Sequence, residues 1–193
     1  MRSEDDDGKP GRPHAVERER SAVPLNSLFT DDGTEFTDDA VDEQDDLPDT
    51  PHGSRVRARM ACVQALYQWL QSGTETAAAD LITQFAQGGR LRRADRDFFE
   101  QLLRGVVADK VGLEQLFDAQ LSRPAAQLDP VEHAILLIAT YELRHRLDIP
   151  MPVVIDQACN MARIYGAQDG YRFINGVLDA TARTLRSGES GQR

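Results

Sequence analysis

The stretch Val131–Leu143, VEHAILLIATYEL, decides how this sequence folds. Val131, Ala134, Ile135, Leu136, Leu137, Ile138, Ala139, Tyr141 and Leu143 leave hardly a polar break. A helix apolar around most of its circumference has to be enclosed by several neighbours. A buried strand would carry a similar run, but the length and the opening residues point to a helix. Asp129 stands at the N-cap, Pro130 at the first helical position and Glu132 three residues after the cap. A capping carboxylate, a φ fixed by the proline ring and an acidic side chain at the positive end of the dipole all favour a helix starting there. The segment predicts the central helix of an all-α domain.

The covering helices lie on both sides of it. Towards the N-terminus, Ser54–Ser72 places Val56, Met60, Val63, Tyr67 and Leu70 at steps of four and three, one face of a helix capped by Ser54 and closed by Gly73. Thr76–Gln87 follows, with Leu81, Ile82 and Phe85 inward and Gly88-Gly89 as the stop. A long third helix is predicted from Asp95 to about Leu121, with Gly105 and Gly112 as close-packing points or weak spots. After the central helix, Pro150 and Pro152 enforce an extended link into a helix ending at Tyr165-Gly166. Asp169 is placed to cap a last helix with Ile174, Val177, Leu178 and Leu185 inward. Gly176 inside it implies that another group comes close. Residues 187–193 read as a frayed end.

Charge divides the chain in two. Residues 1–53 hold 16 Asp and Glu against 5 Lys and Arg, a net −11, whereas residues 54–193 carry a net +1. Low hydrophobicity with high like charge cannot repay the entropy of ordering, so 1–53 reads as a disordered acidic tail and 54–186 as the folded domain. Between Ser21 and Gly53 there are ten acids and no Lys or Arg. The bland reading is a solubilising tail; the sharper one is an acidic mimic competing with RNA for a basic site on the domain.

The familiar signatures of chemistry are missing. There is no phosphate-binding glycine loop, no GxGxxG after a strand and no HExxH. Cys62 and Cys159 lack the spacing of a zinc site or a disulfide framework, and His14, His52, His133 and His145 lack ligand spacing. His133 reads as a surface residue, and a Cys159–His145 nucleophile pair has little to support it. No cofactor, metal or catalytic residue is expected. With no spanning segment and no signal peptide, a cytoplasmic location is the default. Arg55, Arg57 and Arg59 crowd the positive end of the first helix, where cations are unfavourable. A polyanionic ligand is one reason for them; a solvated charged helix start is the other.

In order along the chain, ARMACVQALYQW (Ala58–Trp69), FFEQLLRGV (Phe98–Val106), LDPVEHAILLIATYEL (Leu128–Leu143), PVVIDQACNMARIYG (Pro152–Gly166) and FINGVLD (Phe173–Asp179) resemble the NusB transcription antitermination family. The resemblance covers about Ser54–Leu185. It implies six to seven helices in two packed subdomains and a non-enzymatic factor. That factor pairs with NusE (ribosomal protein S10), binds single-stranded boxA RNA in rRNA leaders, and joins RNA polymerase with other Nus factors. RNA contacts carry over to Arg55, Arg57 and Arg59, to Arg163, and to Asp169, Arg172 and Phe173. Val56 and Met60 depart from the family's denser basic pattern. The NusE-facing surface carries over to Tyr67 and Glu132. Phe173 and Tyr67 also fit the inner stripes of their helices, and Glu132 also fits the capping box. The resemblance leaves monomer and homodimer both open. FINGVLD also occurs in the NusB-like domain of rRNA cytosine methyltransferases, so a detached RNA-targeting domain serving such an enzyme in trans is the alternative. Those enzymes continue into a Rossmann-like domain and this sequence stops at Arg193, which favours the stand-alone factor.

Overall fold

The structure, a computed structural model, describes residues 49–187. The acidic tail, its suggested mimicry and the frayed end after Ser187 lie outside these residues. Seven α-helices and one 3-10 turn make up the described chain: α1 Pro51–Gln71, α2 Ala78–Gln87, α3 Arg96–Ala108, α4 Lys110–Asp118, the turn Ala125–Gln127, α5 Pro130–His145, α6 Met151–Tyr165 and α7 Gly170–Leu185. The fold is all-α, as the apolar pattern predicts.

Helix α5 is the hub. Residues 131 to 140 are buried without interruption, and α5 packs against α1, α3, α4, α6 and α7. Asp129 Oδ1 accepts a hydrogen bond from the Val131 N–H at 2.9 Å, and Pro130 opens the helix. Helices α1–α3 pack together on one side of it and α4, α6 and α7 on the other. Tyr165 joins the two groups, its hydroxyl lying 3.3 Å from Gln64 Nε2 of α1.

Several elements differ from the sequence expectation, each for a local reason. Helix α1 begins at Pro51, because Thr50 rather than Ser54 caps it, its hydroxyl accepting from Gly53 N at 3.1 Å. Residues 51–53 therefore belong to the folded body. Nor is α1 a one-sided helix: residues 57 to 66 are all buried. Helix α2 starts at Ala78, two residues late. The long third helix is two helices broken at Asp109, whose ψ of 30° leaves the helical region. Arg144 of α5 lies 3.2 Å from the Asp109 carboxylate.

The glycines divide. A side chain at Gly105 would run into the Tyr141 ring of α5, so glycine lets α3 and α5 approach. Gly176 is exposed with open space around it, so the expected close neighbour is not there. His133 is buried rather than superficial; its Nε2 lies 2.7 Å from Glu114, which also pairs with Lys110. Burial lowers its pKa against the pull of Glu114. Arg186 closes the fold. Its guanidinium donates to the carbonyls of Leu143 and Ile149 at 2.7 Å, Glu142 at 2.9 Å and Arg146 at 3.0 Å. A side chain just past α7 thereby serves carbonyls at and beyond the end of α5, that of Glu142 accepting the Arg146 N–H as well.

Candidate nucleic-acid interface

The start of α1 does not present three arginines to solvent. Arg57 is 2% exposed and Arg59 3% exposed. Arg59 Nε stands 3.1 Å from both carboxylate oxygens of Glu142, itself 1% exposed. Burial raises the Glu142 pKa, while Arg59, Arg146 and Arg55 pull it down. As predicted surface contacts, Arg57 and Arg59 are corrected: the helix that carries them is enclosed, so their charge is spent inside the protein. Arg55 keeps a side chain 43% exposed and lies 3.6 Å from the Asp95 carboxylate. Three guanidiniums converge on the Phe98 ring, Arg59 at 4.9 Å, Arg146 at 5.0 Å and Arg55 at 5.3 Å from its centroid. Such cation–π contacts help hold like charges together where a buried carboxylate is near. Arg146 in turn donates to Asp148 at 2.9 Å, which holds that carboxyl below its ordinary range.

A second group forms where α6 ends and α7 begins. Arg163, on the last turn of α6, sits 4.4 Å from the Tyr171 ring centroid and donates to Asn160 Oδ1 at 2.8 Å. Arg172 lies 5.7 Å from the same ring, and its Nε donates to the Tyr171 hydroxyl at 3.2 Å. Asp169 pairs with Arg172 at 3.4 Å. Arg163, Asp169 and Arg172 are exposed, so this is an open surface of two guanidiniums, a carboxylate and an aromatic ring. Asp169 does not cap α7 with its side chain; it takes a left-handed φ of 64° and turns the chain into the helix. Phe173 is half-buried and packs against the core.

The expected partner-facing residues divide similarly. Tyr67 is half-buried against the core, and Glu132 is 9% exposed on the first turn of α5. Glu132 reaches the head of α7: a side chain built at Gly170 would come within 3.2 Å of its Oε1. Burial, then the neighbouring Asp129, raises its pKa, and Arg123 opposes them. Glu132 thus stands beside the turn that carries Asp169 and Arg172.

Sequence reasoning missed Tyr171, Phe98 and Arg146. Tyr171 had a signal, an aromatic flanked by Arg172 at the head of a helix. Phe98 and Arg146 had none, since only the packing of α1, α3 and α5 brings them together. Both cysteines are buried, with thiol pKa values raised chiefly by that burial, and His145 packs on Tyr141 at 4.9 Å. No group of three His, Cys, Asp or Glu suited to a metal occurs among the described residues, and no described helix is long and apolar enough to cross a membrane.

Fold and surface together define a small helical domain with exposed arginines, two of them set around the half-buried Tyr171 ring. The sequence model of the NusB family matches residues 56–183. The transcription antitermination protein NusB of Ralstonia nicotianae is 41% identical over 143 residues, covering 74% of this chain and 91% of that protein. That of Paraburkholderia xenovorans is 42% identical over 137 residues, covering 71% and 94%. Among solved structures, T. maritima NusB aligns with a TM-score of 0.60 at 29% identity, covering 69% of this chain and 92% of that one. The chain belongs to the NusB family.

Proposed function

We propose that this protein is a transcription antitermination factor that binds single-stranded boxA-type leader RNA as a heterodimer with NusE (ribosomal protein S10). In this role it acts without catalysis, within an RNA polymerase complex containing other Nus factors, and supports rRNA transcription. The relatives carry the antitermination name, and the observation that carries the RNA reading is the Arg163–Tyr171–Arg172 cluster. Single-stranded RNA is held by cations along its phosphates and by flat groups on which splayed bases stack. Arginine serves both purposes, bonding phosphate through its planar fork and stacking through its face. Arg55, half-exposed, adds a further cation, and Glu132, the residue expected to face the partner, lies close to Gly170 at the head of the helix that carries Arg172.

The test is binding of a boxA-containing RNA with and without NusE. Three to five phosphate contacts give a log–log salt slope of about −2 to −3.5. R163A/R172A should weaken binding and flatten that slope, and NusE should tighten it. A slope near zero, or indifference to both substitutions, would sink the reading.

A further inference from the structure

One concentration of charge has no part in the site described above. Residues 90 to 96 read RLRRADR, with Arg90, Arg92, Arg93 and Arg96 against a single Asp95. The chain from residue 54 onward is close to neutral, so four arginines in seven residues form a local field. Arg90 lies over the Phe85 ring at 5.0 Å, while Arg92, Arg93 and Arg96 are exposed. Arg96 is the first residue of α3, where a cation opposes the helix dipole. Helix stability therefore does not account for it.

The segment is fastened to the start of α1. The Asp95 N–H donates to the Ser54 carbonyl at 3.0 Å, and Arg55 faces the Asp95 carboxylate. Arg92 is three residues from Asp95, so its Cα lies within about 11 Å of that tether. Burial has taken Arg57 and Arg59 off the surface; this loop carries three exposed arginines on the segment fastened to the start of α1.

Resting on the RNA-binding reading, we infer that Arg92, Arg93 and Arg96 form a phosphate-contacting extension of the RNA track from Arg55. The aromatic residues that follow, Phe98 and Phe99, are buried. The loop thus offers guanidiniums without an exposed ring. It contacts phosphates rather than bases, adding affinity and salt dependence but no sequence preference. The rival occupant is the chain's own acidic segment, which joins α1 at Thr50, about 6 Å or one helical turn from Ser54.

The experiment compares the full chain with R92A/R93A/R96A on a boxA-containing RNA and on an unrelated single strand of equal length, from 50 to 200 mM salt. The variant should keep its thermal midpoint, lose about ten-fold on both RNAs at low salt, and show a slope flatter by about 2. Wild-type affinity and slope in the variant, with R163A/R172A still losing RNA, would overturn the loop's role and leave the proposed function standing. Tighter binding by the variant would assign the loop to the acidic segment and overturn the inference too. Failure of the unaltered chain to bind either RNA even with NusE present would remove both.

Discussion

Arg59 and Glu142, 83 positions apart, meet in a buried fork, Nε 3.1 Å from both carboxylate oxygens and a terminal guanidinium nitrogen 3.0 Å from Oε1. The pair ties α1 to the hub helix at the end where Arg186 gathers the carbonyls. Removing one partner of a buried pair leaves the other charge unmatched and costs about 3–5 kcal/mol. R59A should lose that much in urea unfolding, and R59M/E142L should recover most of it. In R59A, burial raises Glu142 further, opposed only by Arg146 and Arg55, so part of the loss should return as pH falls and the carboxyl protonates. A loss under about 1 kcal/mol in R59A would show that the fork carries no weight.

Two glycines should respond with opposite signs. At Gly176 the added methyl meets nothing, so G176A gains helix propensity of about 0.5–1 kcal/mol. At Gly105 the methyl displaces the Tyr141 ring, and overpacking of about 1–3 kcal/mol outweighs the same gain. Thermal midpoints measured side by side decide it; equal shifts of the two variants would refute the packing argument.

Arg186 acts through four carbonyls at once, and R186A takes the donor from that of Leu143 inside the protein, while that of Glu142 keeps the Arg146 N–H. The expected loss is about 2–4 kcal/mol. R186K should fall between, because an ammonium keeps the charge but cannot reproduce the planar fork. If urea midpoints put R186K level with R186A, charge would be irrelevant and only the guanidinium's shape would count.

The hub was legible because α5 announces itself twice, by a run too apolar for one-sided packing and by Asp129-Pro130-x-Glu132 at its start. The break at Asp109 was not, since the apolar stripe continues across it and only tertiary contacts interrupt the helix. The arginine cluster was misread at a point where helix geometry already spoke. Residues two apart sit about 200° apart around a helix, so Arg57 cannot share a face with Arg55 and Arg59. Glu142, an acid following directly on the apolar run of that helix, was the visible sign of a buried cation to match. The Arg163–Tyr171–Arg172 cluster was half legible: the two cations came from the family resemblance, and the ring that assembles them came from the fold.

Glu132 gives the sharpest pH prediction. Its carboxyl titrates above the ordinary value of 4.5, pushed there by burial and by Asp129. Between that value and its elevated one, the folded state holds the proton more tightly than the unfolded chain. Its contribution to stability is therefore full below pH 4.5 and is lost as pH rises through the elevated value. E132Q cannot titrate, so wild-type stability measured against E132Q by urea unfolding should fall as pH rises from 4.5, then level off. A wild type that gains on E132Q over the same window would mean that Glu132 is held ionised by a cation or a helix-end N–H. The proton balance would then carry the opposite sign.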